Sequence, residues 1–169
     1  MITKERSYMH LSLDEIVKTY SKRVFGYLFK MKISKEDCED ILQEIFIRVQ
    51  KNLDKFDLDK NIEPWLFTIA RNEKNRFLNK QNKSFSFDLS KAFTQETPES
   101  IVIEKTTSEI VSDEISKLSP SQREILLLKF NSNLTFKEIS KLLDIKESTV
   151  KYRLYDCFII LKRRLRHAI

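Results

Sequence analysis

Residues 134–165 read LTFKEISKLLDIKESTVKYRLYDCFIILKRRL. The stretch holds two segments in which apolar residues recur every three or four positions, as on one face of an α-helix. Thr135 and Glu138 have the spacing of a capping box, which predicts that the first helix begins there. The pattern breaks at 144–146, and a second helix is expected from Glu147. Two helices joined by so short a break predict a helix-turn-helix, whose second helix enters the major groove of DNA.

The second predicted helix has one apolar side, formed by residues such as Val150, Leu154 and Leu161. The opposite side should face outward, because successive residues are about 100° apart around a helix. The residues expected on or beside that outward side are Ser148, Lys151, Tyr152, Arg153, Tyr155 and Asp156. The alternative interpretation is an ordinary helical hairpin with a solvated polar face, since two-helix patterns are common.

The charge of the chain favours a nucleic-acid partner for its C-terminal third. The 169-residue chain has a formal net charge of +6. Residues 119–169 hold 11 basic and 5 acidic side chains, whereas residues 82–118 hold 4 and 7. A basic segment behind an acidic one is suited to electrostatic attraction of phosphate at one end of the chain.

The rest of the sequence is also predicted to be mainly helical. Its one glycine, Gly26, lies within a helical pattern, which argues against glycine-rich phosphate loops and hairpin turns. Ser12 with Glu15 predicts the start of a first helix, Ser34 the start of a second and Pro64 the start of a third.

The third predicted helix changes character along its length. Its first part, from Trp65 to Ala70, is apolar, and the continuation interleaves basic, amide and aromatic side chains. That mixture suits phosphate contact together with stacking on an exposed base. A solvated helix end is the alternative.

Residues 82–118 lack sustained periodicity until about Ile110 and are rich in Ser, Thr and Glu, with Pro98 among them. This composition predicts a flexible tether. The fold class is therefore all-α: two small helical domains, 1–81 and 118–169, joined by a linker over 82–117, with a helix-turn-helix in the second domain. The alternative is that the segment folds back and closes one compact domain.

Metal, redox and membrane functions find no support in the sequence. Cys38 and Cys157 have no second cysteine or histidine at ligand spacing, so they are expected to be small core residues in a reducing compartment. No cofactor or metal is expected. The absence of a signal peptide and of a membrane-spanning stretch predicts a cytoplasmic protein with no membrane insertion.

Three blocks in this order and spacing resemble the extracytoplasmic-function sigma factors, the minimal two-domain specificity subunits of bacterial RNA polymerase. The blocks are DCEDILQEIFIRV (37–49), WLFTIARN (65–72), and LSPSQREILLLKF with LTFKEISKLLDIKESTVKYRL (118–154). The resemblance covers nearly the whole chain from about Leu11. It implies a non-enzymatic transcription initiation factor with core RNA polymerase and promoter DNA as partners.

The resemblance also implies a role for each block. The residues that match the segment docking on the clamp helices of the largest polymerase subunit are Asp40, Gln43, Glu44, Phe46 and Arg48. Those that match the minus-ten segment, where a base is extruded and the promoter melts, are Arg71, Asn72, Lys74, Arg76, Phe77 and Lys80. Those that match the reader of the minus-thirty-five element are Lys129, Ser148, Thr149, Lys151, Tyr152, Arg153 and Tyr155. The flap of the second-largest subunit is a further expected contact, and family members are frequently held inactive by an anti-sigma factor.

Two positions depart from the family pattern. Ser148 replaces a common glycine, and Asp156 stands where a basic residue is frequent. A carboxylate facing phosphate is unfavourable, but one facing a cytosine amino group can accept a hydrogen bond.

Other classes of protein fit the sequence less well. A response regulator would need an α/β receiver domain, and a recombinase would need a catalytic cluster, yet the two histidines, His10 and His167, lie near the termini. A helical protein-interaction bundle remains an alternative. So does a helix-turn-helix regulator that binds DNA without being a polymerase subunit.

Overall fold

A computed structural model describes residues 12–57, 59–85 and 106–166, without the side chains of 83–85. The chain ends, with His10 and His167, lie outside the described residues. So do Pro98 and most of the predicted linker, residues 86–105.

The N-terminal half consists of three helices. They are α1 (Leu13–Lys30), α2 (Lys35–Asn52), followed by a 3₁₀ turn at Leu53–Lys55, and α3 (Ile62–Phe85). The predicted starts of the first two are confirmed. The Ser12 and Glu15 capping box forms, and the hydroxyl of Ser34 accepts from the amide of Asp37 at 3.1 Å.

Helix α3 begins two residues before the predicted start at Pro64. The side chain of Asn61 accepts from the amide of Glu63 at 3.1 Å and starts the helix at Ile62. Pro64 is then its third residue, where the missing N–H is one that has no partner within the helix. At its other end α3 runs to Phe85, beyond the predicted domain boundary at residue 81.

The C-terminal half contains four helices: α4 (Thr107–Ser116), α5 (Pro120–Asn131), α6 (Phe136–Leu143) and α7 (Glu147–Leu165). Helices α6 and α7 form the predicted helix-turn-helix. Asp144 adopts a left-handed conformation (φ 54°, ψ 48°) at the turn. The hydroxyl of Ser140 donates to the carbonyl of Ile145 at 2.7 Å, while the amide of Ile145 donates back to the carbonyl of Ser140 at 3.1 Å. These two bonds fix the break between the helices.

Helix α4 lies inside the segment 82–117 that the sequence predicts to be linker. A capping box between Thr106 and Glu109 begins it. At its end, the buried guanidinium of Arg123 donates to the carbonyls of Ile115 (3.3 Å) and Leu118 (2.7 Å). The helix also packs against α7. A short helix held by such tertiary contacts leaves only a weak periodic signal in its own sequence.

The two halves pack against each other, with α1 on α5 and α3 on α6. We call this the closed arrangement. The all-helical class with a C-terminal helix-turn-helix is confirmed, and Cys38 and Cys157 are core residues as predicted. No helix within the described ranges has both the length and the apolarity needed to cross a membrane.

Candidate nucleic-acid and polymerase interfaces

The outer face of α7 has the composition predicted for a DNA reader. Val150, Leu154, Cys157 and Leu161 are buried against α5 and α6, which fixes the rotation of the helix. Ser148, Lys151, Tyr152 and Tyr155 are therefore exposed. Tyr152 has 72% of its surface accessible, a high value for a side chain with so much apolar area. The two tyrosine rings carry hydroxyl groups, and Ser148 and Lys151 lie on the same face. Such side chains are suited to contact base edges and phosphates.

Two lysine side chains lie over the ring of Phe136, beside α7. The Nζ atoms of Lys129 and Lys151 lie 4.8 and 5.5 Å from the centroid of Phe136. Lys129 also donates to the carbonyl of Leu134 at 3.0 Å, and Lys151 pairs with Glu147 at 2.8 Å. Cation–π contacts, one hydrogen bond and one ion pair thus hold two positive charges close together on the helix-turn-helix. This placement suits contact with the phosphates beside a bound groove.

The remaining predicted residues of this group lie at the edge of the face. Thr149 and Arg153 are half-buried rather than exposed. Asp156 is half-buried as well, and its carboxylate accepts from the side-chain amide of Gln122 at 2.8 Å. In this structure the carboxylate is directed to α5, where it helps fix α7. The idea that Asp156 meets a cytosine amino group therefore finds no support here.

An apolar patch that sequence reasoning missed lies farther along α7. Phe130 of α5 and Phe158 of α7 are exposed and form an edge-to-face pair with centroids 6.0 Å apart. Ile159, the next residue along α7, is 68% exposed. We call these three residues the apolar patch. The available signal was that Phe158 and Ile159 are apolar yet lie off the stripe that α7 buries.

The outward face of α2 carries three of the five residues predicted to bind polymerase. Asp40, Gln43 and Glu44 are exposed on one side of the helix. Ile47, which follows at helical spacing, is 41% exposed and was missed in the sequence. An exposed isoleucine among acidic and amide groups gives this face an apolar centre, as protein interfaces have.

Phe46 and Arg48 do not lie fully on that outward face. Phe46 is partly buried and packs against the core. Arg48 is half-buried and forms an ion pair with the buried Glu73 of α3. In this structure both residues join α2 to neighbouring elements of the N-terminal half, so they offer less accessible surface to a partner than Asp40, Gln43 and Glu44 do.

A cleft of about 380 Å³ runs between α2 and α3 and connects two surfaces that the sequence treats separately. Its lining comes from both helices: Asp40, Ile41, Glu44, Glu73, Arg76, Phe77 and Lys80. Asp40 and Glu44 belong to the predicted polymerase face, and the last three residues belong to the predicted minus-ten segment. Phe77 is half-buried in this cleft, and Arg76 pairs with Glu73 at 3.3 Å. The two predicted surfaces are therefore contiguous.

Asn72 is exposed on α3, as a residue that reads an extruded base must be. Its neighbours Arg71 and Lys74 differ from the prediction. Lys74 is only 2% exposed, and its Nζ lies 2.5 Å from Oε1 of Glu124 on α5. The Nε of Arg71 lies 3.2 Å from the same oxygen. In the closed arrangement neither cation is presented to a DNA strand, because both are paired with a carboxylate of the other half.

The proton positions around Glu124 follow from burial and charge. Burial and the Glu124 carboxylate raise the pKa of Tyr27 well above its ordinary value, so the phenol keeps its proton and donates to Glu124 at 3.0 Å. Burial would raise the pKa of Glu124, but Lys74, Arg71 and Tyr27 together lower it. Burial lowers the pKa of Lys74 against the opposing effect of Glu124. The site thus holds one ionised carboxylate surrounded by donors.

A larger cavity of about 810 Å³ lies between the two halves. One wall is the segment from Asn52 to Ile69, where the rings of Phe56 and Trp65 are 4.7 Å apart. The other wall is α6, through Glu138, Lys141 and Leu142. Sequence reasoning could not find this cavity, because it exists only through the packing of α3 on α6.

Comparison with known proteins assigns both halves to one family. Residues 16–84 match Sigma-70 region 2, and residues 108–156 match Sigma-70 region 4. The extracytoplasmic-function (ECF) RNA polymerase sigma factor SigM of Bacillus subtilis is 31% identical over 147 residues, covering 86% of this chain and 90% of SigM. The chain belongs to the ECF sigma factors. It is a non-catalytic subunit that directs RNA polymerase to promoters, so its partners include core polymerase and promoter DNA.

Further relatives agree with this assignment. The ECF sigma factor SigW of Bacillus subtilis is 29% identical over 164 residues, covering 90% of this chain and 88% of SigW. The solved structure of the sigma factor RpoE from Bartonella quintana, in complex with the anti-sigma factor NepR, has a TM-score of 0.76 at 17% identity. It covers 92% of this chain and 98% of RpoE. CnrH in complex with the cytosolic domain of CnrY has a TM-score of 0.64 at 19% identity, covering 92% of this chain and 88% of CnrH. At these identities the two structures support the fold alone.

The matched regions of this ECF sigma factor bear on the boundary of region 4 and on the alternative function of the chain. The region 4 match includes most of α4, so it begins ahead of the boundary that the sequence predicts at Leu118. The alternative of a helix-turn-helix regulator outside the polymerase is excluded, because the N-terminal half matches region 2.

Proposed function

We propose that this sigma factor recognises promoters at two elements and promotes their melting, with region 2 formed by the helices up to Phe85 and region 4 by the helices from Thr107. In this proposal α2 binds polymerase, the outer part of α3 opens the minus-ten element and α7 reads the minus-thirty-five element. The observation that carries it is the exposed outer face of α7, with Tyr152 and Tyr155 beside the Lys129 and Lys151 pair.

Recognition of the minus-thirty-five element divides between two kinds of contact. Lys129 and Lys151 supply positive charge beside the N-terminal part of α7, where phosphates of the groove wall would lie. Ser148, Tyr152 and Tyr155 are exposed and supply hydroxyls and ring edges to bases. Thr149 and Arg153, which are half-buried, border this surface.

Melting of the minus-ten element depends on capture of an extruded base at Asn72. Its amide offers both a donor and an acceptor to a Watson–Crick edge. Arg76 and Lys80 are exposed farther along the same helix and can meet the phosphates of the single strand. Unstacking a base costs a few kcal/mol and least at flexible T·A steps, so capture can drive melting without ATP. Arg71 and Lys74 take part only when they are released from Glu124.

Core polymerase is bound at two surfaces in this proposal. The α2 face of Asp40, Gln43, Glu44 and Ile47 docks on the clamp helices of the largest subunit. The apolar patch of region 4 docks on the flap of the second-largest subunit, because an exposed cluster of Phe130, Phe158 and Ile159 favours a protein partner. Both contacts take place in the cytoplasm, where the polymerase works.

An anti-sigma factor is a further proposed partner. Both solved structures reported above are complexes of two proteins, and in the RpoE complex these are named as a sigma factor and an anti-sigma factor. The open cavity between the halves, with the rings of Phe56 and Trp65 on one wall, offers such a partner both apolar and charged side chains.

Replacement of Gln43 by alanine tests the polymerase contact. Gln43 is exposed on α2, so its loss leaves the core intact and removes only surface contacts. We expect the affinity of the Gln43→Ala protein for core polymerase to fall by about five- to tenfold, equivalent to about 1–1.4 kcal/mol. The matched control is Gln81→Ala, an exposed glutamine on α3 that should bind like the wild type. Equal affinity of both variants would remove this face of α2 from the interface.

A further inference from the structure

Glu124 joins the two halves of the molecule at one point. Its side chain comes from α5 of region 4, and its Oε1 accepts from Tyr27 of α1 and from Arg71 and Lys74 of α3. The three distances are 3.0, 3.2 and 2.5 Å. The side chains of Glu124 and Lys74 are 13% and 3% exposed. We call these four residues the Glu124 cluster.

A second group of contacts supports the same interface. The guanidinium of Arg23 on α1 donates to the carbonyl of Asn131 on α5 at 2.8 Å and pairs with Glu63 at 2.7 Å. Gly26 is the one glycine of the chain, and a Cβ there would lie 3.1 Å from Nδ2 of the Asn131 side chain. A side chain at Gly26 would therefore press on the Asn131 side chain between α1 and α5.

In the closed arrangement the two halves lie too close together to contact both promoter elements at once. The minus-ten and minus-thirty-five elements lie roughly 25 base pairs apart, which is about 85 Å of duplex at 3.4 Å per step. A compact chain of 169 residues has a radius of gyration of about 15 Å and so a diameter of about 40 Å. The two halves must separate before both elements can be contacted. Residues 86–105 can span at most about 70 Å when fully extended, which permits that separation.

The Glu124 cluster occupies side chains that region 2 would otherwise offer to DNA. Arg71 and Lys74 flank the exposed Asn72, and a carboxylate between two cations takes the place that a phosphate oxygen would have. We propose that Glu124 is an internal phosphate mimic that holds the closed arrangement and masks Arg71 and Lys74 until the halves separate on polymerase. The masking rests on the proposed role of region 2 in DNA binding, whereas the closure does not.

The energetics of a buried ion pair suit a contact that must open. The attraction between Glu124 and its cations is largely offset by the cost of removing all of them from water. Separation rehydrates the carboxylate and exposes two cations to a polyanion. The closed and open arrangements can therefore lie close in free energy, and DNA together with polymerase favours the open one.

The closure is tested by energy transfer between dyes on the two halves of the full chain. Cysteines introduced as Glu39→Cys on α2 and Lys162→Cys on α7 are exposed positions for the dyes. The native Cys38 and Cys157 are buried, and burial raises the pKa of each thiol to about 11, so they react slowly. Glu124→Gln should lower the transfer efficiency. Glu36→Gln, which removes an exposed carboxylate of α2, should leave it unchanged.

The masking is tested with a polythymidine strand of about twelve nucleotides, within the range that single-strand binding proteins cover. The free Glu124→Gln protein should bind the strand about tenfold more tightly than the wild type and the Glu36→Gln control. Its affinity should also fall more steeply with salt, by about 0.7 in the logarithmic slope for each of the two released cations. A residue that only stabilised the fold would not steepen the slope.

Gly26→Gln should open the same interface without changing Glu124. It provides a second test in case the Glu124→Gln protein misfolds. The new side chain would be forced against Asn131, while glutamine is a better helix former than glycine and α1 should persist. This variant keeps Glu124 and should also lower transfer efficiency and tighten strand binding. Helicity by circular dichroism should match the wild type for both variants.

Three results distinguish failure of the closure, failure of the masking and failure of the proposed function. Unchanged transfer efficiency in both folded variants would overturn the closure. Lower transfer efficiency with unchanged strand affinity and salt slope would overturn the masking. If instead the wild-type holoenzyme initiates at no promoter, the proposed function fails while the result from the dye-labelled free protein still stands.

Discussion

The Glu124 carboxylate should make the closed arrangement sensitive to acid. The pKa of Glu124 is lowered in the folded protein despite its burial, because Lys74, Arg71 and Tyr27 favour its ionised form. Its contribution to closure is therefore present above its unfolded pKa, about 4.3, and lost as pH falls through the lower folded value. Transfer efficiency between the two halves should fall below about pH 4 in the wild type. A transition of the same size in Glu124→Gln would show that another group causes it.

Asn72 separates promoter opening from polymerase binding. Asn72→Ala leaves the α2 face untouched, so the affinity for core polymerase should stay at the wild-type value. Loss of the amide removes one or two hydrogen bonds to the captured base, about 1–3 kcal/mol, and should reduce open-complex formation on duplex promoters about tenfold or more. Permanganate footprinting of unpaired thymines measures this directly.

The controls for Asn72 use a second amide and a second template. Asn79→Ala changes an exposed amide on the same helix and should give a wild-type footprint. A template already unpaired across the minus-ten element should restore part of the activity of Asn72→Ala, because melting no longer depends on capture. A wild-type footprint from Asn72→Ala on duplex DNA would contradict the assignment.

Helix α7 should show two distinct kinds of mutational effect. Tyr152→Ala should cost about 1–3 kcal/mol at particular base pairs of the minus-thirty-five element and relax the preference there. Lys151→Ala should weaken all promoters alike and reduce the salt slope by about 0.9, the value for one phosphate contact on duplex DNA. Binding of holoenzyme to a panel of promoter variants distinguishes them, with Lys18→Ala on α1 as the matched charge control. If the variants keep wild-type strength and preference, α7 is not the reader.

Individual helices were predictable where local signals are strong. The capping residues Ser12, Ser34 and Thr135 begin their helices as expected, because a side-chain oxygen that accepts from the first turn is a local interaction. Helical periodicity also placed the buried and exposed sides of α7. Helix α4 was missed although Thr106 and Glu109 form the same kind of capping box, because the apolar pattern after that box is short and the helix is held by packing against α7 and by hydrogen bonds from Arg123.

The packing between the two halves could not be predicted from the sequence. Nothing in the spacing of Arg71 and Lys74 shows that a carboxylate fifty residues later would neutralise them, so both were predicted to face DNA. The exposed Ile47 and the apolar patch were missed for a related reason. A periodic pattern identifies the apolar residues that a helix buries, and it assigns no role to those left over.

Selection from a promoter library by the reconstituted holoenzyme tests two-element recognition most directly. Core polymerase with this sigma factor should initiate at templates that share two short sequence blocks at a nearly constant spacing. That spacing should be one that the closed arrangement cannot reach, about 85 Å between the elements. Selected templates with one block alone, or initiation that does not depend on the added protein, would contradict the proposal that both halves of the molecule read the promoter.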